Sequence, residues 1–374
     1  MPSYLFLFAG FFIFAYFIVV VALGVAWRKI KVQDNLKYDA SNPVFVSVIV
    51  ALRNEENNLH SFIKALQKQS KFYPHFEAIL VDDHSTDNSY AVLSEFEKKY
   101  PWMRLFQNPP TLQGKKNALQ VATKQAKGNL LAFTDADCLP RPLWLKTLAA
   151  HYTQHNHPDL IIGLVDSTAL SFIQKIFRME SVALVVSAAG AANAGFAVLC
   201  NGANLAVKVS ALGHYQPDIG IPSGDDVFLL HAVKKMGGKI TVLKSPEHMV
   251  YTQGASQISD FLNQRSRWVS KSDKMKDSHT IILALIVYFA NLSLLLNMIV
   301  SAISGQYLPA IVLFALKMLA DLFLFLMASD LFRQTRILAF LPLVSVIYPL
   351  YVALLLPLSI KRPFQWKGRN YRVY

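Results

Sequence analysis

Cysteine is scarce in this sequence, and its scarcity excludes a protein held together by disulfide bonds. Cys138 and Cys200 are the only cysteines among the 374 residues. Two cysteines form no disulfide framework, and their spacing does not fit a cysteine-based metal site. The composition therefore agrees with a chain that folds in a reducing compartment.

Charged residues are almost missing from four long stretches of the chain, which are residues 4–27, 281–303, 308–328 and 337–360. A helix needs about 20 apolar residues to cross the hydrocarbon core of a membrane. The sequence therefore predicts an integral membrane protein with a polar middle. We expect an N-terminal transmembrane anchor (residues 1–27), a polar domain (40–256) and an interfacial helix (257–278). A region of about three hydrophobic segments (279–360) and a basic tail (361–374) follow.

Two opposite charges stand inside the third apolar stretch. Lys317 and Asp321 are four residues apart, so a helix would place them on the same face. An ion pair within one helix is the favoured interpretation. A functional site inside the membrane is the alternative.

Basic residues outnumber acidic ones, 37 against 24, which gives a net charge of +13. No basic-aromatic nucleic-acid-binding motif accompanies this charge, so nucleic acid is not an expected partner. The basic clusters lie at residues 28–31, 265–276 and 361–372, beside the hydrophobic segments. Attraction to anionic lipid headgroups explains that placement better.

The basic residues also predict which side of the membrane the polar middle occupies. Arg28, Lys29 and Lys31 follow the anchor directly, and cytosolic loops are enriched in such residues. We therefore expect a cytosolic domain at the inner membrane of a bacterium. Three further crossings would leave the tail outside, although its five basic residues predict a cytosolic tail. Either all three last segments cross, or one of them is interfacial or re-entrant.

Apolar runs in the polar middle predict a parallel sheet. Four short runs, separated by segments with helical spacing, predict strands over residues 44–52, 76–81, 103–106 and 130–133. Such βαβ units form a mostly parallel sheet, whose ligands bind beyond the carboxyl ends of the strands. The polar motifs that follow Leu52, Val81 and Thr134 should therefore converge.

Residues 181–200 are also apolar, but we do not predict that they cross the membrane. A crossing there would place Asp137 and Asp226 on opposite sides and destroy any shared site. The small residues of this segment favour a buried or interfacial helix with close packing.

An Asp-x-Asp motif follows the fourth predicted strand. Asp135 and Asp137 could hold a divalent cation, Mg²⁺ or Mn²⁺, because such cations prefer carboxylate oxygens and leave positions for phosphate and water. An ordinary acidic turn is the alternative, since Asp is common in turns.

Further candidates for binding a phosphorylated ligand follow the other strands. Asp82 and Asp83 could accept hydrogen bonds from a base or a ribose, with an Asx turn or a helix cap as the alternative. Glu55 could reach the same group or be a solvated loop charge. Lys115 and Asn117 lack the glycine spacing of a P-loop, yet they could meet a phosphate at a helix N-terminus.

An acidic pair and a basic-aromatic motif complete the candidates. Asp225 and Asp226 open an apolar helical stretch, where a carboxylate could act as a base or simply favour the helix dipole. Gln264, Arg267 and Trp268 could bind a departing phosphate and a sugar or apolar acceptor. The alternative is a snorkelling interfacial helix.

Taken in order, these motifs resemble the membrane-bound enzymes of glycosyltransferase family 2. The matching residues are 46–57, 80–89, 114–118, 135–137, 200–204, 224–226 and 264–268. The resemblance implies an α/β GT-A fold with a Rossmann-like, mostly parallel sheet, and a hexosyltransferase that inverts the anomeric carbon. It implies nucleotide contacts at Glu55 and Asp83, a metal ligand at Asp137 and a catalytic base at Asp226. The acceptor and diphosphate site that it implies is formed by Gln264, Arg267 and Trp268.

Two features separate the chain from the polymer-forming members. Val269, Ser270 and Lys271 stand where polymer synthases commonly have alanine and glycine, and four apolar segments are few for a polysaccharide channel. We therefore predict transfer of one sugar from a nucleotide-diphosphate donor, with a UDP-sugar favoured, to a lipid or lipid-linked acceptor. Such an enzyme would resemble ceramide and other lipid glucosyltransferases. A processive cellulose- or hyaluronan-type synthase is the alternative, and an inactive membrane scaffold is a third.

Overall fold

The computed structural model describes residues 2–34, 36–213, 224–332, 335–359, 364–367 and 369–371. They form an α/β domain, a group of long apolar helices and a C-terminal hairpin. Lys361, Arg362 and Arg372, which contributed to the prediction of a cytosolic tail, lie outside the described residues.

The strands are β1 (Val46–Leu52), β2 (Phe76–Asp82), β3 (Met103–Gln107), β4 (Leu130–Phe133), β5 (Cys138–Pro140), β6 (Leu160–Ile162), β7 (Val165–Thr168), β8 (Leu205–Lys208), β9 (Ile240–Val242), β10 (Val250–Gln253), β11 (Phe364–Trp366) and β12 (Arg369–Tyr371). The helices are α1 (Pro2–Lys29), α2 (Glu56–Phe72), α3 (Ser89–Lys99), α4 (Lys115–Gln125), α5 (Trp144–Gln154), α6 (Phe172–Asn193), α7 (Val209–Leu212), α8 (Asp225–Lys235), α9 (Ile258–Val269), α10 (Ser278–Ser304), α11 (Leu308–Phe332) and α12 (Leu341–Ser359).

The main sheet confirms the predicted α/β architecture. Its seven strands run in the order β3-β2-β1-β4-β8-β6-β9, and only β8 is antiparallel to its neighbours. β1 and β2 are buried along their whole length, as expected for apolar strands covered by helices on both faces. Because β2, β1 and β4 are parallel neighbours, their carboxyl ends open on the same edge of the sheet. β5, β10 and β7 form a second, smaller sheet.

Four helices are long and apolar enough to span a membrane, namely α1, α10, α11 and α12. They pack on one another through aromatic and polar contacts inside the apolar region. Phe12 of α1 contacts Phe289 of α10, with ring centroids 5.1 Å apart. Lys317 Nζ donates to Asp321 Oδ2 at 2.7 Å, and Tyr16 Oη donates to Asp321 Oδ1 at 2.6 Å. The predicted ion pair is confirmed.

The ends of three apolar helices show how they are oriented relative to the α/β domain. At the C-terminal end of α1, Trp27 Nε1 donates to Met327 O near the end of α11. Asp277, just before α10, pairs with Lys234 of α8. At the opposite end, Asn297 Nδ2 of α10 donates to Leu5 O of α1. α1 and α11 therefore end on the side of the α/β domain, and α10 begins there.

α12 contacts α6 and α9 at several points along its length. Leu341, its first residue, packs against Met179 of α6, and Ser359, its last, donates through its hydroxyl to Ser266 of α9. Between them, Tyr351 donates to Glu180 of α6 at 3.1 Å. Both ends of α12 therefore lie beside α6 and α9, and the hairpin that follows returns to the α/β domain. Three crossings and an interfacial or re-entrant last segment both stay predictions.

α6 carries the first part of the apolar segment 181–200. It packs along α1, and Gly190 lies so close to this helix that a Cβ atom there would stand 2.4 Å from Leu23 O. Among the described helices, α6 is not one of those long and apolar enough to span a membrane. The close packing expected of this segment is thus observed, and its not crossing the membrane stays a prediction.

Candidate active site

The Asp-x-Asp motif lies directly beyond β4. Asp135, Asp137 and Cys138 each offer one ligand atom, and these atoms lie within 4.8 Å of one another. Burial, together with the neighbouring Asp135 carboxylate, raises the pKa of Asp137 above its ordinary value. Two carboxylates that repel each other in a partly buried site suit a hard divalent cation, since its charge would relieve the repulsion.

Cys138 in this group was not predicted from the sequence. Its sulfur lies 3.5 Å from Asp137 Oδ1, and burial followed by the charge of Asp137 raises the pKa of the thiol well above 9. Its position directly after the motif was the available signal.

Lys115 connects α4 to the Asp-x-Asp motif. Its Nζ lies 2.6 Å from Asp135 Oδ1. Burial alone would lower the pKa of Lys115, but the carboxylates of Asp135, Asp225 and Asp226 outweigh burial and raise it. A lysine that stays protonated among three carboxylates is well placed to meet a polyanionic ligand.

Asp225 and Asp226 open α8, as the apolar pattern after them indicated. Asp226 Oδ2 accepts from the backbone N–H of Gly202 at 2.9 Å, and its Oδ1 accepts from Val227 N at 2.8 Å. Gly224 precedes the pair with a φ of +87°, which glycine adopts without strain. Burial raises the pKa of Asp225. The two backbone donors hold the Asp226 carboxylate in a fixed orientation.

The acidic residues after β2 lie deeper than the Asp-x-Asp motif. Asp83 is 1% exposed, and its carboxylate accepts from Asn108 Nδ2 at 2.9 Å and from Gly114 N at 3.0 Å. Asp82 accepts from Ser85 N at 3.1 Å, which is the local loop contact given as the alternative for this pair. Its Oδ1 is buried without a hydrogen-bond partner among the described residues.

Glu55 and Asn117 both form local hydrogen bonds, Glu55 just before α2 and Asn117 in the first turn of α4. Glu55 Oε2 accepts from Asn58 Nδ2 at 2.7 Å, and burial raises its pKa. Asn117 Nδ2 donates to Gln113 O at 2.8 Å, in the turn before α4. Neither residue belongs to the cavity beside the Asp-x-Asp motif.

The basic-aromatic motif lies on α9, and its first arginine, Arg265, has a structural role that sequence reasoning missed. Arg265 is 3% exposed and forms an ion pair with Glu180 of α6, with Nε to Oε2 at 2.7 Å. Its guanidinium lies 4.1 Å from the centre of the Trp268 ring. Arg265 thus joins α9 to α6, and its guanidinium packs against the indole ring of Trp268.

One cavity of about 310 Å³ brings most of the predicted residues together. Its polar lining includes Lys115, Asp135, Asp137, Asp225, Asp226, Gln264, Arg267 and Trp268. Phe177, Leu184, Val185 and Ala188 of α6 supply an apolar wall. The cavity therefore extends from the acidic motif to the helix that packs on α1.

A second cavity of about 260 Å³ lies between α4 and α8 and shares Lys115, Asp135 and Asp226 with the first. Thr134 also lines it, and the Thr134 hydroxyl is buried without a hydrogen-bond partner among the described residues. The two cavities therefore meet at the acidic residues.

Asn204 and His248 support the site from behind. Asn204 is buried, accepts from Trp144 Nε1 at 2.9 Å and donates to Leu164 O and His248 O at 2.8 and 2.9 Å. His248 Nδ1 donates to Trp144 O at 3.0 Å, so this histidine belongs to the core rather than to the acidic cluster. Asn204 lies in a matching motif, but its contacts are structural.

Replacing Asn204 by alanine is expected to destabilise the protein by about 3 kcal/mol, because three buried polar groups would lose their partner. Thermal unfolding in detergent measures the change, with Asn57→Ala on the exposed face of α2 as the matched control. A melting temperature of Asn204→Ala equal to that of the control would contradict this role.

Stability is also expected to fall below neutral pH. Burial lowers the pKa of His248 to about 4 and of His151 to about 3, whereas an unfolded histidine titrates near 6.5. The stabilisation is complete above about pH 6.5 and decreases as the pH falls towards the folded values, by about 2 kcal/mol for each residue at pH 5. Melting curves at pH 7.5 and 5 test this, and His248→Gln should show the smaller difference. An equal difference in both proteins would exclude His248 as a cause.

The match to known proteins agrees with this geometry. Residues 47–174 match the family described as glycosyl transferase family 2. The probable glycosyltransferase YdaM of Bacillus subtilis is 24% identical over 60% of this chain and 54% of its own length. The beta-monoglucosyldiacylglycerol synthase of Nostoc sp. is 31% identical over 31% of this chain and 25% of its own length. The chain thus spans about half or less of these curated relatives.

A solved structure resembles most of the chain. The mannosyltransferase PcManGT of Pyrobaculum calidifontis, in complex with GDP-Man and Mn²⁺, has a TM-score of 0.60 and 18% identity, over 94% of this chain and 99% of that one. At this identity the likeness establishes the fold. Residues 47–174 therefore match glycosyl transferase family 2, and the chain has a GT-A fold accompanied by four long apolar helices.

Proposed function

We propose that the protein is a metal-dependent, inverting glycosyltransferase that moves one sugar from a nucleotide-diphosphate donor to a lipid acceptor at the membrane surface. One observation carries the proposal: a single cavity is lined by the Asp-x-Asp carboxylates, by Asp226 and by apolar residues of α6. Donor, base and acceptor would therefore meet in one place.

The donor half of the proposal rests on charge. Asp135 and Asp137 would hold Mg²⁺ or Mn²⁺, whose positive charge would offset that of the diphosphate. Lys115, Arg267 and Gln264 would bind the remaining phosphate oxygens and the sugar. The PcManGT complex, with its Mn²⁺ and GDP-Man, supports this assignment by analogy of fold.

The donor sugar would occupy the junction of the two cavities. Thr134 there offers a buried hydroxyl without a partner among the described residues, which a sugar hydroxyl could satisfy. Asp225 and Lys115 border the same space.

Asp226 would be the catalytic base. Two backbone N–H groups hold its carboxylate in a fixed orientation at the wall of the cavity. As the acceptor oxygen forms its bond to the anomeric carbon, the bond to the diphosphate breaks and the hydroxyl proton passes to Asp226. Attack from the side opposite the leaving group inverts the anomeric carbon.

The acceptor half rests on the apolar wall of the cavity. Phe177, Leu184 and Val185 offer surface to an acyl or prenyl chain, and Trp268 offers an indole face where a headgroup sugar would lie. α6 packs on α1, so this wall adjoins the apolar helices. A match to a glycolipid synthase is consistent with such an acceptor.

The location follows from the same features. With Arg28 and Lys29 at the end of α1, the α/β domain would be cytosolic, and the hairpin that returns to it would share that side. We therefore assign an anchor to residues 1–27, a cytosolic catalytic domain to 40–256 and an interfacial helix to 257–278. Residues 279–360 would form a membrane region and residues 361–374 a cytosolic tail.

Purified protein in detergent, given Mn²⁺ or Mg²⁺, tests the activity with a panel of UDP-, GDP- and TDP-sugars. We expect release of nucleoside diphosphate with one donor, dependent on added membrane lipid, and a β-linked product from an α-linked donor by NMR. Release at the same rate without lipid would exclude the lipid acceptor. A product of retained configuration would exclude inversion.

A further inference from the structure

The C-terminal hairpin reaches two buried acidic side chains, at positions where the resemblance to glycosyltransferase family 2 implies nucleotide contacts. Lys367 Nζ lies 2.6 Å from Glu55 Oε1, and Arg369 Nη1 lies 2.5 Å from Asp83 Oδ2. Glu55 and Asp83 are 6% and 1% exposed in this arrangement. Lys367 O also accepts from Arg53 Nε at 3.2 Å, which fixes the turn of the hairpin.

Asp83 has no accepting position left in this arrangement. Asn108 and Gly114 donate to its carboxylate from the domain itself, and Arg369 takes the remaining direction on Oδ2. A second nitrogen of the same guanidinium lies 3.3 Å from Asp83 O. A ligand that needs Asp83 can therefore bind only after Arg369 has left.

The chemistry of the position limits what could replace Arg369. An ionised carboxylate only accepts hydrogen bonds, so the replacing group must donate one. The ring N–H of uracil, thymine or guanine does so, whereas cytosine and adenine present an unprotonated ring nitrogen at the corresponding edge. Arg369 is 18% exposed and belongs to the tail, so it is the donor that can be exchanged most easily.

We propose that Arg369 occupies the place of the donor base on Asp83, so that the C-terminal hairpin and a uracil-, thymine- or guanine-containing nucleotide compete for the same carboxylate. Lys367 strengthens the hairpin by its pair with Glu55. The inference rests on the proposed function, because it takes Asp83 as part of the nucleotide site. It makes the tail an internal competitor of the donor.

Nucleotide binding to the full-length protein tests the competition. Dissociation constants for UDP, GDP and CDP, measured calorimetrically with Mn²⁺, are compared among wild type, Arg369→Gln, Arg369→Lys and Arg104→Gln. Arg104 pairs with buried Glu77 outside the two cavities and is the matched control. We expect UDP or GDP to bind Arg369→Gln about tenfold tighter than wild type. This is the change expected if the wild-type hairpin is closed in about nine molecules out of ten, because only the remaining one in ten could bind nucleotide. Arg369→Lys should lie between, and the control should equal wild type.

Unchanged or weaker binding to Arg369→Gln would overturn the competition while leaving the proposed function intact. Absence of binding of every nucleotide to every variant would overturn the proposed function itself, so the two failures are distinct.

Trypsin cleavage after Lys367 and Arg369 provides a second measurement that needs no variant. Saturating UDP or GDP should speed cleavage of the wild-type tail if the nucleotide displaces the hairpin. Slower cleavage would mean that the hairpin closes over the bound nucleotide, and it would contradict the competition.

Discussion

Replacing Asp226 by asparagine is expected to lower the rate of sugar transfer by about 10²–10⁴-fold, the contribution of a positioned general base. The amide keeps the size of the side chain and an oxygen that can accept from Gly202 N, but it cannot accept the acceptor proton. Donor affinity should change little. Initial rates and donor dissociation constants, measured on the same preparation, separate the two effects.

Asp39→Asn is the control for this prediction, because it removes one negative charge from an exposed residue of the linker after α1. A transfer rate in Asp226→Asn equal to that of the control would remove Asp226 as the base. A loss of donor binding as large as the loss of rate would instead indicate a role in binding.

Replacing Asp137 by asparagine is expected to weaken Mn²⁺-dependent donor binding by about 100-fold, because a neutral amide is a poorer ligand than a carboxylate. The variant with Mn²⁺ should then bind the donor as weakly as the wild-type protein does when a chelator has removed the metal. Calorimetric titration of the donor, with and without Mn²⁺, measures the effect. Calcium or magnesium in place of Mn²⁺ would show which cations the site accepts.

Cys138 supplies a matched control for the metal site, since Cys138→Ser keeps a small polar side chain beside both carboxylates. The serine should lower affinity for thiophilic Cd²⁺ more than for Mg²⁺ if the sulfur reaches the cation. Mn²⁺ affinity unchanged by Asp137→Asn would contradict the assignment of the acidic cluster.

Much of the domain could be predicted because local and global preferences agree in it. β1 and β2 are short runs of β-branched and apolar residues that favour buried parallel strands, and they form the centre of the sheet. Parallel strands direct their carboxyl ends to one edge, so Asp135 and Asp83 could be placed there from order alone. The apolar stretch after the acidic pair likewise predicted a helix there, and α8 begins at Asp225.

The roles of several residues could not be predicted because they depend on contacts between distant parts of the chain. Arg369 lies 286 residues from Asp83, and no periodicity links the two. Arg265 and Trp268 share one motif, yet only the position of α6 shows that Arg265 is paired and buried. Asn204 likewise depends on Trp144, 60 residues away.

The course of the last apolar segment was open for a related reason. Hydropathy reports whether a helix of sufficient length is apolar, and α12 meets that criterion. Its direction depends on packing against α6 and α9, through Glu180 and Ser266. Composition carries no information about such contacts, so only the structure could show them.

The most direct test of the central claim follows a radiolabelled sugar from the donor into the product. Purified protein, Mn²⁺, the preferred donor and a lipid extract are incubated together and then partitioned between an organic and an aqueous phase. We expect the label in the organic phase as one discrete species, larger than its lipid by a single sugar and absent with Asp226→Asn. Label in a high-mass, glycosidase-sensitive polymer would contradict a single transfer to lipid and establish a processive synthase instead.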